Sequence, residues 1–89
     1  MTVKIKQGFV LRKVAENYIV VPVGEMAKKF NGVIKLNESS AFMWKKLVDG
    51  IELNDLIKAV TDEYEVDTAR AEQDVKAFTD ALKNANIAE

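Results

Sequence analysis

Four carboxylates crowd one short run, Asp62, Glu63, Glu65 and Asp67. Two hydroxyls, Ser39 and Ser40, stand just ahead of Lys45 and Lys46, and a single Trp, Trp44, lies between them. Each group has a chemistry to be tested. Clustered carboxylates can hold a cation or pass protons. A Ser beside a Lys can be a nucleophile, and an indole can stack on a base or a ligand. Calcium loops need oxygen ligands at alternate positions, a turn Gly and a terminal Glu at fixed spacing. The acidic run lacks that order, and Tyr64 and Val66 interrupt it. It reads as a solvated helix end followed by an N-cap. Ser39 and Ser40 read as first-turn hydroxyls that satisfy open amides. Trp44 falls on the apolar face of a helix, beside Ala41 and Val48, and reads as mostly core.

Two absences narrow the chemistry further. The chain has no Cys, which removes disulfides, thiolate metal sites, iron–sulfur clusters and thiol nucleophiles. It has no His, the commonest general base and metal ligand. Gly24 and Gly32 stand apart, so no phosphate-binding loop is spelled out. Neither a metal nor a cofactor site is expected. With 89 residues and a formal net charge of −1, the chain is expected to form one domain over 1–89. Nothing in that charge attracts nucleic acid or an acidic membrane. The opening "MTVKIKQGFV" lacks a signal-type apolar run, and no stretch approaches a membrane span. The chain reads as soluble and cytoplasmic.

The elements that must position these residues are legible in outline. "FVLRKVAENYIVVPV" is rich in β-branched and aromatic residues and breaks near Ala15-Glu16-Asn17. It predicts strands at about Phe9–Val14 and Tyr18–Val23, paired antiparallel, with Pro22 weakening the ladder where it falls. "GEMAKKFNG" follows as a loop, closed by an Asn31-Gly32 turn signal. A third strand, about Val33–Leu36, lies at the edge of the resulting meander. Three helices come next. Asn37 caps the first, and Asp49-Gly50 ends it. Asn54 caps the second, with Leu56, Ile57 and Val60 inward. Asp67 caps the third, whose stripe Ala71, Val75, Phe78, Leu82 and Ala85 forms a single face. The fold class is α+β: a three-stranded antiparallel sheet followed by three helices.

Two function classes fit that architecture. One is a winged-helix DNA-binding regulator, with the third helix as reader. From Asp67 to Ala85 this helix sets Asp67, Glu72, Asp74 and Asp80 against Arg70, Lys76 and Lys83. A net negative helix does not suit a phosphate-lined groove. The other class is peptide binding. "VIKLNESSAFMWKKLVDG" joins the edge strand to a helix cap without a linker. An open edge can accept a guest strand, and the third helix alongside would complete a groove. The same edge can pair with a second copy of the chain, giving a homodimer.

The ordered set "LNESSAFMWKKLVDG", "LIKAVTDEYEVD" and "DVKAFTDALKNANI" resembles the PqqD family. These are small proteins of pyrroloquinoline quinone biosynthesis, and relatives that recognise ribosomally made, modified peptides. Leu36, Asn37, Glu38, Trp44, Asp49, Gly50, Tyr64, Asp74, Val75, Phe78 and Leu82 carry the likeness, which runs from about Phe9 to Ile87. The resemblance implies a winged-helix-like fold and a role without catalysis. That role is to bind the leader segment of a precursor peptide and present it to a modifying enzyme, often a radical-SAM enzyme. It implies a guest strand along Val33, Ile34, Lys35 and Leu36, against Asp74, Val75, Phe78 and Leu82 of the third helix. Specific DNA binding is not expected. Titration with duplex DNA should give no salt-sensitive, sub-micromolar complex at any defined sequence.

Overall fold

The computed structural model describes residues 1–30 and 32–89. Asn31, half of the expected turn signal, lies outside the described residues. The strands predicted around Ala15-Glu16 form β2 (Phe9–Val14) and β3 (Asn17–Pro22), preceded by a short β1 (Thr2–Val3). Then come α1 (Met26–Lys29), β4 (Ile34–Leu36), α2 (Glu38–Leu47), β5 (Ile51–Glu52), α3 (Leu53–Tyr64) and α4 (Thr68–Asn84). The main sheet runs β2-β3-β4, antiparallel throughout, with β4 at an edge as the meander requires.

Alternation assigns the two faces of this sheet. Phe9 and Leu11 of β2, Tyr18 and Val20 of β3, and Leu36 of β4 all join or pack against the core. Val10, Arg12, Val14, Ile19 and Lys35 therefore face outward. The helices cover the inner face. Val20, Leu36, Met43, Trp44, Leu47, Leu56, Ile57, Val60, Ala71, Val75 and Leu82 form one cluster. Trp44, 1% exposed, is its largest fully buried side chain.

Several elements depart from the sequence expectation. The "GEMAKKFNG" segment is not wholly loop: α1 turns once at Met26–Lys29 and packs against β3. Gly8 admits it, because a Cβ there would overlap the Met26 side chain. Asn54 does not cap α3. That helix begins at Leu53, Glu52 supplies no side-chain cap, and the Leu53 amide donates to the Met1 carbonyl (2.9 Å). The N-terminal segment thus takes over the capping role. β1 pairs with β5, Thr2 opposite Glu52 and Val3 opposite Ile51. Beyond it, the Ile5 amide donates to the Leu47 carbonyl (3.0 Å) and the Lys6 amide to the Ile87 carbonyl (2.8 Å). The segment straps α2, α3 and the C-terminal end together.

Helix ends also shift two stripes. α2 stops at Leu47, so Val48 becomes its C-cap and stands 45% exposed, while Gly50 turns the chain at φ +87°. Ala85 is the exposed C-cap of α4, not part of its buried stripe. Thr79 is buried there instead, and its hydroxyl donates to the Val75 carbonyl (3.0 Å). No helix among the described residues is long and apolar enough to cross a membrane.

Trp44 is the test of this core. Trp44→Ala removes the ring and leaves a cavity, so it should cost about 3–5 kcal/mol of stability. Urea unfolding followed by circular dichroism should show a much lower midpoint, or no folded baseline.

Candidate functional site

The edge at β4 has a definite hydrogen-bonding phase. The Val23 amide donates to the Gly8 carbonyl at 2.8 Å. In an antiparallel ladder, hydrogen-bonded pairs alternate with non-bonded ones. With Phe9 opposite Pro22 and Val14 opposite Asn17, the bonded pairs of β2 and β3 are Val10–Val21, Arg12–Ile19 and Val14–Asn17. Of the remaining residues of β3, Tyr18 and Val20 turn their amides and carbonyls toward β4, and Pro22 has no amide to offer. The partners of Tyr18 and Val20 are Leu36 and Ile34. Lys35 therefore points its N–H and C=O away from β3, to the open side. Val33 and the Asn37 amide continue that phase on either side, while the Asn37 carbonyl accepts from the Ala41 amide (2.9 Å) as the first bond of α2.

The junction after β4 is held by a cap. The Ser40 amide donates to Asn37 Oδ1 (2.8 Å), and the Ser39 hydroxyl donates to the same oxygen (3.1 Å). Asn37 is extended, at φ −80° and ψ 177°, so strand geometry continues to the first residue of the helix. Glu38 stands in the first turn, where a carboxylate suits the positive end of the helix. Leu36, 7% exposed, anchors the strand in the core directly before the cap.

A cleft of about 430 Å³ opens beside this junction. Asn37, Ser39, Ser40 and Met43 form one wall, and Arg70, Asp74, Ala77 and Phe78 of α4 form the other. Asp67 caps α4 by accepting from the Arg70 amide (2.7 Å). The Arg70 guanidinium then reaches Asp74 one turn on, Nε to Oδ2 at 3.3 Å. Both side chains are largely exposed, so this pair shapes the rim and contributes little to stability. A second depression lies at the hairpin end of the sheet, lined by Lys13, Glu16, Asn17, Tyr18, Lys35, Leu36, Asn37 and Glu38. The Nζ atoms of Lys13 and Lys45 each stand 5.5 Å from the Tyr18 ring centre there.

The residues singled out from the sequence divide into three groups. Val33, Ile34 and Lys35 are exposed, Val33 at 58%. Asp74 and Phe78 line the cleft, with Phe78 half-buried against the core. Leu36, Val75 and Leu82 are buried, so their side chains serve the core. Met43, Ala77 and Arg70 line the cleft without having been singled out. Arg70 and Ala77 lie one turn from Asp74, at i−4 and i+3, and that spacing was the available signal.

Two titrating groups are shifted from their ordinary values. The Tyr64 hydroxyl is raised above its usual range by burial, then by the charges of Glu38 and Glu63. Glu52 is lowered, chiefly by its hydrogen bond from the N-terminal ammonium. Each shift reinforces the ordinary state at neutral pH, a neutral phenol and an ionised carboxylate. Neither is a base poised near neutrality. Among the described residues, no group of acidic side chains is arranged to hold a metal ion.

A family model described as coenzyme PQQ synthesis protein D (PqqD) matches residues 12–88. The chain belongs to the PqqD family. Among proteins of curated function, none matches it. Two solved structures share its fold. One is TbiB1 in complex with the TbiA(beta) leader peptide, 22% identical, with a TM-score of 0.76 over 97% of this chain and 94% of that one. The other is a lasso peptide synthetase B1 complexed with its leader peptide, also 22% identical, with a TM-score of 0.78 over 98% and 96%.

The cap and the core make different demands on this PqqD-family site. Asn37→Ala removes the acceptor of the Ser40 amide and should cost about 1 kcal/mol. Leu82→Ala should cost about 2–5 kcal/mol, because it empties a core position. Thermal or urea melts should separate the two variants clearly.

Proposed function

We propose that this chain binds the leader segment of a ribosomally made precursor peptide and presents it to a modifying enzyme. The leader adds as a strand along β4. Its backbone pairs with the outward amide and carbonyl of Lys35, with those of Val33 at one end, and with the Asn37 amide at the other. Side chains of the added strand that lie on the inner face continue from Ile34 and Leu36 toward the cleft wall of Met43, Ala77 and Phe78. Asp74 and Arg70 border that wall. The observation that carries the reading is the open edge at Lys35, tied to α2 by the Asn37 cap. Membership of the PqqD family supports it, as do two structural relatives, each in complex with a leader peptide.

In this reading the chain contributes binding and no catalysis. A sequence without His or Cys agrees with that division of labour. The enzyme that acts on the presented peptide belongs to the peptide-modifying class, with a radical-SAM enzyme as the family's frequent partner. The chain works in the cytoplasm, where precursor peptides are made. In the absence of a leader, the same edge can pair with a second copy, so dimer and leader complex exclude each other.

Proline separates the edge from the ladder. Lys35→Pro removes an outward donor, whereas Ile34→Pro removes a bond to β3. A net main-chain hydrogen bond is worth about 0.5–1.5 kcal/mol. Lys35→Pro should therefore weaken binding of the precursor peptide encoded alongside by roughly three- to tenfold relative to Lys35→Ala. Its melting midpoint should change little, while that of Ile34→Pro should fall. Calorimetric titration with each variant checks this. Equal affinity for Lys35→Pro and Lys35→Ala would place the peptide elsewhere.

A further inference from the structure

The phase of the edge also decides which side chains of a guest strand meet which surface. Lys35 directs its side chain to the outer face, because Ile34 and Leu36 share the inner face with Val20 and Tyr18. A residue paired opposite Lys35 lies on the same outer face, whether the guest runs parallel or antiparallel. Its two neighbours lie on the inner face. One row of the sheet crosses that outer surface as Arg12, Ile19 and Lys35. The rest of the outer face is Val10, Val14, Asn17 and Val21 with exposed Val33 nearby, so its two cations stand in a mostly apolar field.

Among the described residues, neither cation forms an ion pair. Two carboxylates, Glu16 and Glu38, and a second ammonium, Lys13, lie near Lys35. They share the depression at the hairpin end with it, beyond Asn17 and Asn37. The outer surface beside the open edge is thus positive at Lys35.

We infer that Lys35 selects an acidic residue at one position of the guest strand, flanked on both sides by apolar residues. Resting on the strand-addition reading above, this names the substrate pattern of that site: apolar, acidic, apolar. The flanking residues enter the inner face toward Met43, Ala77 and Phe78. The acidic residue stands beside the Lys35 ammonium, on the outer face. Opposite charges directly across two strands attract and like charges repel.

The test uses the full chain and an unbiased probe, an mRNA-displayed library of random 14-residue peptides. Selections run in parallel on the natural chain and on Lys35→Glu, which keeps the backbone donor and reverses the charge. Winners are titrated into both proteins with isotope-labelled amides. The natural chain should enrich Asp or Glu at one fixed position between apolar residues, and Lys35→Glu should enrich Lys or Arg there. An acidic winner should bind Lys35→Glu on the order of fivefold more weakly. If winners shift the Lys35 amide yet show the same charge preference on both proteins, the charge inference is overturned and strand addition stands. If winners bind and leave the Lys35 amide unmoved, strand addition at this edge is overturned, and the inference falls with it.

Discussion

A single hydrogen-bonding phase governs the exposed edge of this protein. Once the Val23 amide bonds to the Gly8 carbonyl, every rung from the hairpin to β4 is assigned. Shifting the phase by one residue would exchange faces as well as bonding directions. Leu36 and Val20 would leave the core, and the outward amide would belong to Ile34. Burial of Leu36 therefore does more than add apolar contact. It keeps the phase that leaves Lys35 open, because the alternative would strand a core leucine in water.

The helices stabilise that arrangement from the other side. Trp44 and Leu47 of α2 pack into the core that receives Leu36, and Asn37 couples the strand to the helix within one residue. A free edge of three residues would ordinarily fray, since a terminal strand has one neighbour only. Here its C-terminal end is held by a cap and a buried side chain. Its other end is exposed at Val33. The edge is thus most rigid near the cleft, where α4 supplies Ala77 and Phe78.

What could be read from the sequence followed the range of the interactions involved. β2, its turn, the Asn37 and Asp67 caps and the Trp44 position all depend on neighbours within a few residues, and local patterns carry them. The strap formed by Thr2–Val3 with Ile51–Glu52 does not. Two residues on each side give no periodicity, and their partners lie far apart in the chain. The misplaced Asn54 cap has the same origin. An Asn before an apolar run is a fair local signal, but the Met1 carbonyl reached the Leu53 amide first. At the candidate site, the strand and α4 were legible as elements. Which α4 residues face the cleft was not, because one apolar stripe serves both the core and the groove. Val75 and Leu82 went to the core; Phe78 lies at the boundary.

The short edge limits what backbone pairing can supply. Val33 and Lys35 each offer one donor and one acceptor, Asn37 offers a donor only, and each bond contributes about 0.5–1.5 kcal/mol net. Association costs roughly 4–15 kcal/mol in lost translation and rotation. Lys35 and its two flanking positions do not offset that with any margin. Burial of apolar side chains in the cleft has to supply the difference, at about 25 cal/mol per Å² removed from water. The division has a functional consequence. Main-chain bonds to the edge tolerate many sequences but do not choose among registers, since sliding by two residues restores them all. In the proposed mode that choice falls to side chains, those facing Met43 and Phe78 and the one beside Lys35. In the proposed mode, affinity therefore comes largely from the α2–α4 cleft, while β4 supplies the extended conformation. A peptide held this way is fixed along one strand only, and the rest of it stays free for an enzyme to reach.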